Sequence, residues 1–236
     1  MAGSAARPVV EDRRQRAVRL GAWSLAIGAG LTVIGVMLAT ALGWASALDR
    51  CCTPVGYLGG GLQAGLHLLV LGGFIALWVS GVCGRGRLAL AGVALVCTGT
   101  FLQAPAEVVF RLAPRLATPL YAIAAPLNAT GLIMAGIAAF RAGLWRRWQS
   151  ATVLAAGLYL PLIQVPSFVL ARGPNPIAIA GWHLLAVGIA VALLKGAIAQ
   201  PSGEQVPGRP GGRRPEVGGL AANPTSRTGQ APGEVA

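Results

Sequence analysis

The sequence predicts an all-α fold, a polytopic membrane protein with six transmembrane helices in a bundle. Three observations predict it. Of 236 residues, 55% are hydrophobic and only 11% are charged, with a mean hydropathy of +0.65, whereas a water-soluble domain is roughly a quarter charged. Six apolar stretches are long enough to cross ~30 Å of hydrocarbon at ~1.5 Å per helical residue. The basic residues crowd into alternate connections between those stretches, as topology signals do.

The first span runs from about Leu20 to Leu42 and the second from Tyr57 to Gly81. The third starts at Leu88 and passes Gln103, and the fourth covers Leu120 to Phe140. The fifth covers Ala151 to Ala171 and the sixth Ile177 to Ile198. Backbone amides in hydrocarbon must be satisfied within the segment, so runs of this length are helices. The alternating short strands of an outer-membrane barrel are absent from the sequence. Arg13, Arg14, Arg16 and Arg19 before the first span, with Ala45-Ser46-Ala47 after it, look like the flanks of a signal peptide. The apolar run exceeds the usual ~7–15 residues of such a peptide, so a retained span is expected.

Three regions follow: a basic N-terminal segment (1–19), the six-helix domain (20–199) and a tail (200–236). Arg7 to Arg19 reads as a short basic helix able to dock on anionic lipid. The tail holds 6 prolines and 8 glycines among 37 residues, which predicts a disordered, solvated segment. With the N-terminus placed in the cytoplasm, 15 of the 19 basic residues fall inside and 4 outside, namely Arg50, Arg111, Arg115 and Arg172. The asymmetry holds at every connection, so a plasma membrane protein with both termini cytoplasmic is expected. Trp44, Tyr57, Tyr121 and Trp182 then fall at the outer interface, and Trp23, Trp78, Trp145 and Trp148 at the inner one, matching aromatic belts.

The formal net charge is +12, carried by 18 arginines and the single lysine Lys195. Heavy use of Arg, Ala and Gly suggests a GC-rich, bacterial genome. Arginines that cluster in short gaps between apolar segments, where topology signals sit, argue against nucleic-acid binding. Cys51, Cys52, Cys83 and Cys97 form neither a C-x-x-C nor a zinc pattern. Cys51 and Cys52 are adjacent in the first outer loop, open to an intermolecular disulfide or free thiols, while Cys83 and Cys97 read as packing residues. No phosphate-binding loop, Ser-His-Asp set or H-E-x-x-H motif occurs, so no catalytic residues and no enzyme are expected.

Polar groups at depth are the informative feature, because hydrocarbon makes them costly. At ~1.5 Å per residue from the outer boundary, Gln63 lies at about 9 Å, His67 about 15 Å, His183 about 10 Å, and Gln103 and Gln164 about 12 Å. All five occupy the outer half, with no comparable set in the inner half. Gln63 and His67 share a helix face, so the glutamine can orient the imidazole. Glu107 and Arg111 stand at i, i+4 in the favourable order, an ion pair for an outer mouth. Pro105, Pro126, Pro161 and Pro166 break helical bonding and open room. Together they predict an outward polar pocket lined by spans two, three, five and six. The plain reading is that the same residues are interhelical hydrogen bonds.

An internal echo supports repeated helical hairpins: His67-Leu68-Leu69-Val70-Leu71-Gly72 resembles His183-Leu184-Leu185-Ala186-Val187-Gly188, and Gln103-Ala104-Pro105 resembles Gln164-Val165-Pro166. Gly61 and Gly65 form a GxxxG that permits close helix approach. Asn128-Ala129-Thr130 matches a glycosylation sequon but lies mid-membrane.

Three functions fit these residues. The first is a non-catalytic membrane subunit, assembly partner or sensor, contacting the bilayer, a second copy or another membrane subunit. The second is a transporter or permease for a small solute, although no acidic residue lies deep in a span. The third is a redox protein with a single haem between His67 and His183, the chain's two histidines. Beyond that haem no cofactor or metal site is expected.

Overall fold

Each apolar stretch becomes a helix in the computed structural model, which describes residues 7–43, 53–171 and 175–198. No strand occurs among the described residues. Helix α1 covers Arg7–Ala41, α2 Pro54–Ser80, α3 Arg87–Leu112 and α4 Pro114–Ala142. The fifth span is split into α5 (Arg147–Tyr159), a π turn (Leu160–Gln164) and α6 (Val165–Ala171), and α7 covers Pro176–Ile198. Among the described residues, six helical segments are long and apolar enough to cross a membrane.

The helix ends follow local chemistry. Thr53 Oγ1 accepts from the Gly56 amide (3.1 Å) at the start of α2, with Pro54 in the first turn, where a missing N–H is no loss. Asn175 Oδ1 accepts from the amides of Ile177 (3.0 Å) and Ala178 (3.3 Å) and so starts α7. Gly81 (φ +69) and Gly143 (φ +63) end α2 and α4 in the left-handed conformation that glycine adopts without strain. Ala113 alone separates α3 from α4. It is extended (φ −151, ψ 83) because Pro114 disfavours a helical residue before it. The π turn coincides with Pro161, which has no amide to donate, and is followed by Pro166.

Two expectations about the first span change. Arg7 to Arg19 is the opening of α1, not a separate docking helix, and the 35-residue helix is roughly 50 Å long, well beyond the ~30 Å hydrocarbon core. Its projecting turns dock on α2: Arg14 donates from Nε to the Val79 carbonyl (2.9 Å) and from a terminal nitrogen to Ser80 (2.6 Å). Those are carbonyls that a helix C-terminus leaves without intrahelical partners.

The helices pack in chain order around a ring: α1 on α2, α2 on α3, α3 on α4, α4 on α5, α5 on α7, and α7 back on α1, with α2 also touching α7. Small residues set the spacing. A Cβ at Gly92 would fall 2.7 Å from the Ala135 amide, and one at Gly131 would fall 2.7 Å from the Gly92 carbonyl, so α3 and α4 meet backbone to backbone. Gly136 and Gly157 do the same between α4 and α5, and Gly28 between α1 and α2, where Gly73 makes room for the Leu25 side chain. Gly61 and Gly65 have open space around them and are exposed, so the GxxxG of α2 is not an internal contact. The outer faces carry Leu31, Ile34, Leu62, Leu116 and Leu170, all exposed, the surface a lipid bilayer takes up.

Two of the aromatics expected in interfacial belts are core residues instead: Trp182 and Trp145 are buried. Trp23, Trp148 and Tyr57 are exposed. Trp44, Cys51, Cys52, Arg50, Arg172 and the tail from 200 onward lie outside the described residues.

Candidate functional site

His67 stands midway along α2, and His183 lies in the first half of α7. Both are buried, and their ring centres lie 6.4 Å apart with the planes nearly perpendicular. The two matching sequence runs give matching local geometry. In each ring Nδ1 lies 2.9 Å from the carbonyl four residues earlier, Gln63 for His67 and Ile179 for His183. A carbonyl only accepts, so Nδ1 carries the proton and Nε2 is the basic nitrogen of each ring. Gln63 therefore orients His67 through its backbone, where the sequence suggested its side chain.

Trp182 packs edge-on to His183 with ring centres 4.9 Å apart, and its indole N–H is buried with no hydrogen-bond partner. Tyr159, at the end of α5, fits against Gly181, where a Cβ would lie 2.9 Å from its Cζ. The π turn after Tyr159 also packs on α7 and α4. It carries Gln164, half-buried, whose side-chain oxygen is buried without a partner.

Gln103 belongs to a different group. Its side-chain oxygen accepts from Asn128 Nδ2 (2.9 Å), while Asn128 Oδ1 accepts from Thr100 (3.0 Å). Asn128 and Thr100 are fully buried, so this relay ties α3 to α4 away from water. Arg111 is buried, with its guanidinium 5.1 Å from the Phe110 ring centre and its stem against Gly60 of α2. Glu107 stands one turn earlier on α3. Of the five residues expected to line one pocket, His67 and His183 meet, Gln103 pairs with Asn128, Gln63 lends its carbonyl, and Gln164 sits in the π turn.

No family model, no curated protein and no solved structure matches this chain. Among the described residues no group of three or more metal-ligating side chains occurs, so any metal held by the histidines takes its remaining ligands from elsewhere. Buried polar residues also occur at the opposite end, contrary to expectation. Gln149 donates to the Ala192 carbonyl (3.0 Å) and accepts from the Arg146 amide (2.9 Å), and Ser150 is buried beside it. The signal that could have found Gln149 is its place at the mouth of the fifth span, where it satisfies a helix start. Cys83, in the turn between α2 and α3, is a buried packing residue, and burial pushes its thiol up to about 12.

Proposed function

We propose that this chain is a non-catalytic multi-pass protein of a bacterial cell membrane, a subunit or sensor, with its basic end and both termini in the cytoplasm. Its responsive element is the His67–His183 pair. The supporting observation is that the chain's two histidines, 116 residues apart, meet at 6.4 Å inside the bundle, each with Nδ1 held by its own helix. That leaves two basic nitrogens on two different helices. A cation bound at one of them changes the charge that the other helix faces in a low-dielectric interior, so α2 and α7 respond together. The orientation rests on the excess of arginine at the end that carries Arg14, Arg85, Arg146 and Lys195.

Spin labels at the exposed positions Leu68 of α2 and Leu184 of α7 test this in a cysteine-free background. Lowering the pH from 8 to below about 4 should change their distance distribution, and His67→Gln or His183→Gln should abolish the change. An identical distribution at both pH values in the otherwise native protein rules the sensor out.

A second reading is a haem or single metal ion bridging the rings. It is supported by the same 6.4 Å, since two metal–nitrogen bonds of ~2 Å plus half of each ring bring bridged centroids to roughly 6 Å. A Soret band or bound metal that disappears in both histidine variants would support it. A colourless, metal-free protein isolated from its native membrane would exclude it.

A further inference from the structure

The fifth span changes character at its π turn. Before it, α5 packs on α4 and on α7. Beyond it, α6 packs chiefly on the π turn from which it grows, and none of its residues is buried. Val165, Val169 and Leu170 are all exposed. Helix α6 therefore continues a packed helix without sharing its packing, and the backbone of residues 160–166 sets its rotation about the span.

Two bonding registers are open to that backbone. The Val165 amide donates to the Leu160 carbonyl, five residues earlier, whereas α bonding would pair it with Pro161, four residues earlier. Passing from α into π bonding skips one amide, which normally costs a hydrogen bond. Here the skipped position can be Pro161, which has no amide to lose, and the return to α bonding can fall at Pro166, which has none to place. Uninterrupted α bonding leaves the Gly157 and Leu162 carbonyls facing the two prolines without donors. Bonding in π register between the prolines leaves Pro161 and Leu162 instead. The two registers thus contain equally many hydrogen bonds, so the penalty that makes π turns rare is absent.

We propose that residues 160–166 are a two-register switch that passes between π and α bonding. It turns α6 about its axis by about 100°, the phase of one helical residue. Few contacts oppose the turn, because no residue of α6 is buried. Tyr159, the last residue of α5, fits against Gly181 of α7, two residues before His183. The register is therefore felt beside the histidine pair, yet the switch needs no charge on either ring.

The test uses the full-length protein without its native cysteines in lipid nanodiscs, with spin labels at Val169 of α6 and Ile123 of α4, both exposed. Two distance populations are expected there. A control pair at Ala151 of α5 and Phe140 of α4, also exposed, should give one. Pro161→Ala supplies an amide that α bonding directs to Gly157 and π bonding leaves idle. It should shift the ratio of the two populations roughly three- to twentyfold toward the α register, the weight of one hydrogen bond in a membrane. Pro166→Ala supplies an amide that either register can use, so it should keep both populations. A single narrow Val169–Ile123 distribution in the otherwise native protein would overturn the switch. Equal effects of the two proline substitutions would overturn it as well.

Discussion

Replacing Asn128 by alanine should destabilise the folded bundle by about 1–3 kcal/mol, on two interhelical hydrogen bonds averaging ~0.6 and reaching ~1.7 kcal/mol each in membranes, with the void adding to it. The two bonds are not equal. Thr100 can fall back on the carbonyl four residues earlier, as Thr32 (2.9 Å), Thr40 (2.8 Å) and Thr152 (2.9 Å) already do here. Gln103 has no such local donor for its side-chain oxygen, so the larger share of the loss belongs to the Asn128–Gln103 bond of 2.9 Å. Reversible unfolding by SDS from mixed micelles, read by intrinsic tryptophan fluorescence, gives the free energies. A double-mutant cycle of Asn128→Ala with Gln103→Leu should show a coupling of about 0.6–1.7 kcal/mol, and the cycle with Thr100→Val a smaller one. A Gln103 coupling of zero within error would refute the reasoning.

Gly131→Ala forces a methyl against the Val96 amide and the Gly92 carbonyl and should cost about 1–3 kcal/mol by overpacking, whereas Gly65→Ala, which points into open space, should be neutral or slightly stabilising in the same SDS titration. Equal effects would contradict the backbone-to-backbone contact of α3 and α4. With Cys83 as the chain's one remaining cysteine, a water-soluble maleimide should label it slowly at pH 7–9 and fast only after denaturation. The reactive species is the thiolate, and a thiol raised to about 12 stays protonated in that range. Rapid labelling of folded protein at pH 7.5 would show that the 80–87 turn opens.

The number of spans was legible because hydrocarbon acts on each residue separately, whatever its neighbours in space. The same logic fails at α1, where Arg7–Arg19 is too charged to read as a span yet continues the helix, since a helix outside the membrane needs only a surface to dock on and Arg14 finds one on α2. The like runs around His67 and His183 pair these two residues in the sequence, and their rings lie 6.4 Å apart in the fold. Rotation about each helix axis was not legible. It is decided by which neighbour each helix packs against, and no single-helix pattern carries that information. Ala113 alone joins α3 to α4, so those two helices are forced together and Gln103 meets Asn128. The GxxxG of Gly61 and Gly65 points outward for the same reason, while unremarked glycines such as Gly92 and Gly131 bring α3 and α4 together. A small-residue motif says that a close approach is permitted. Where the approach occurs depends on the ring order of helices, which follows from connection lengths and packing across the whole chain.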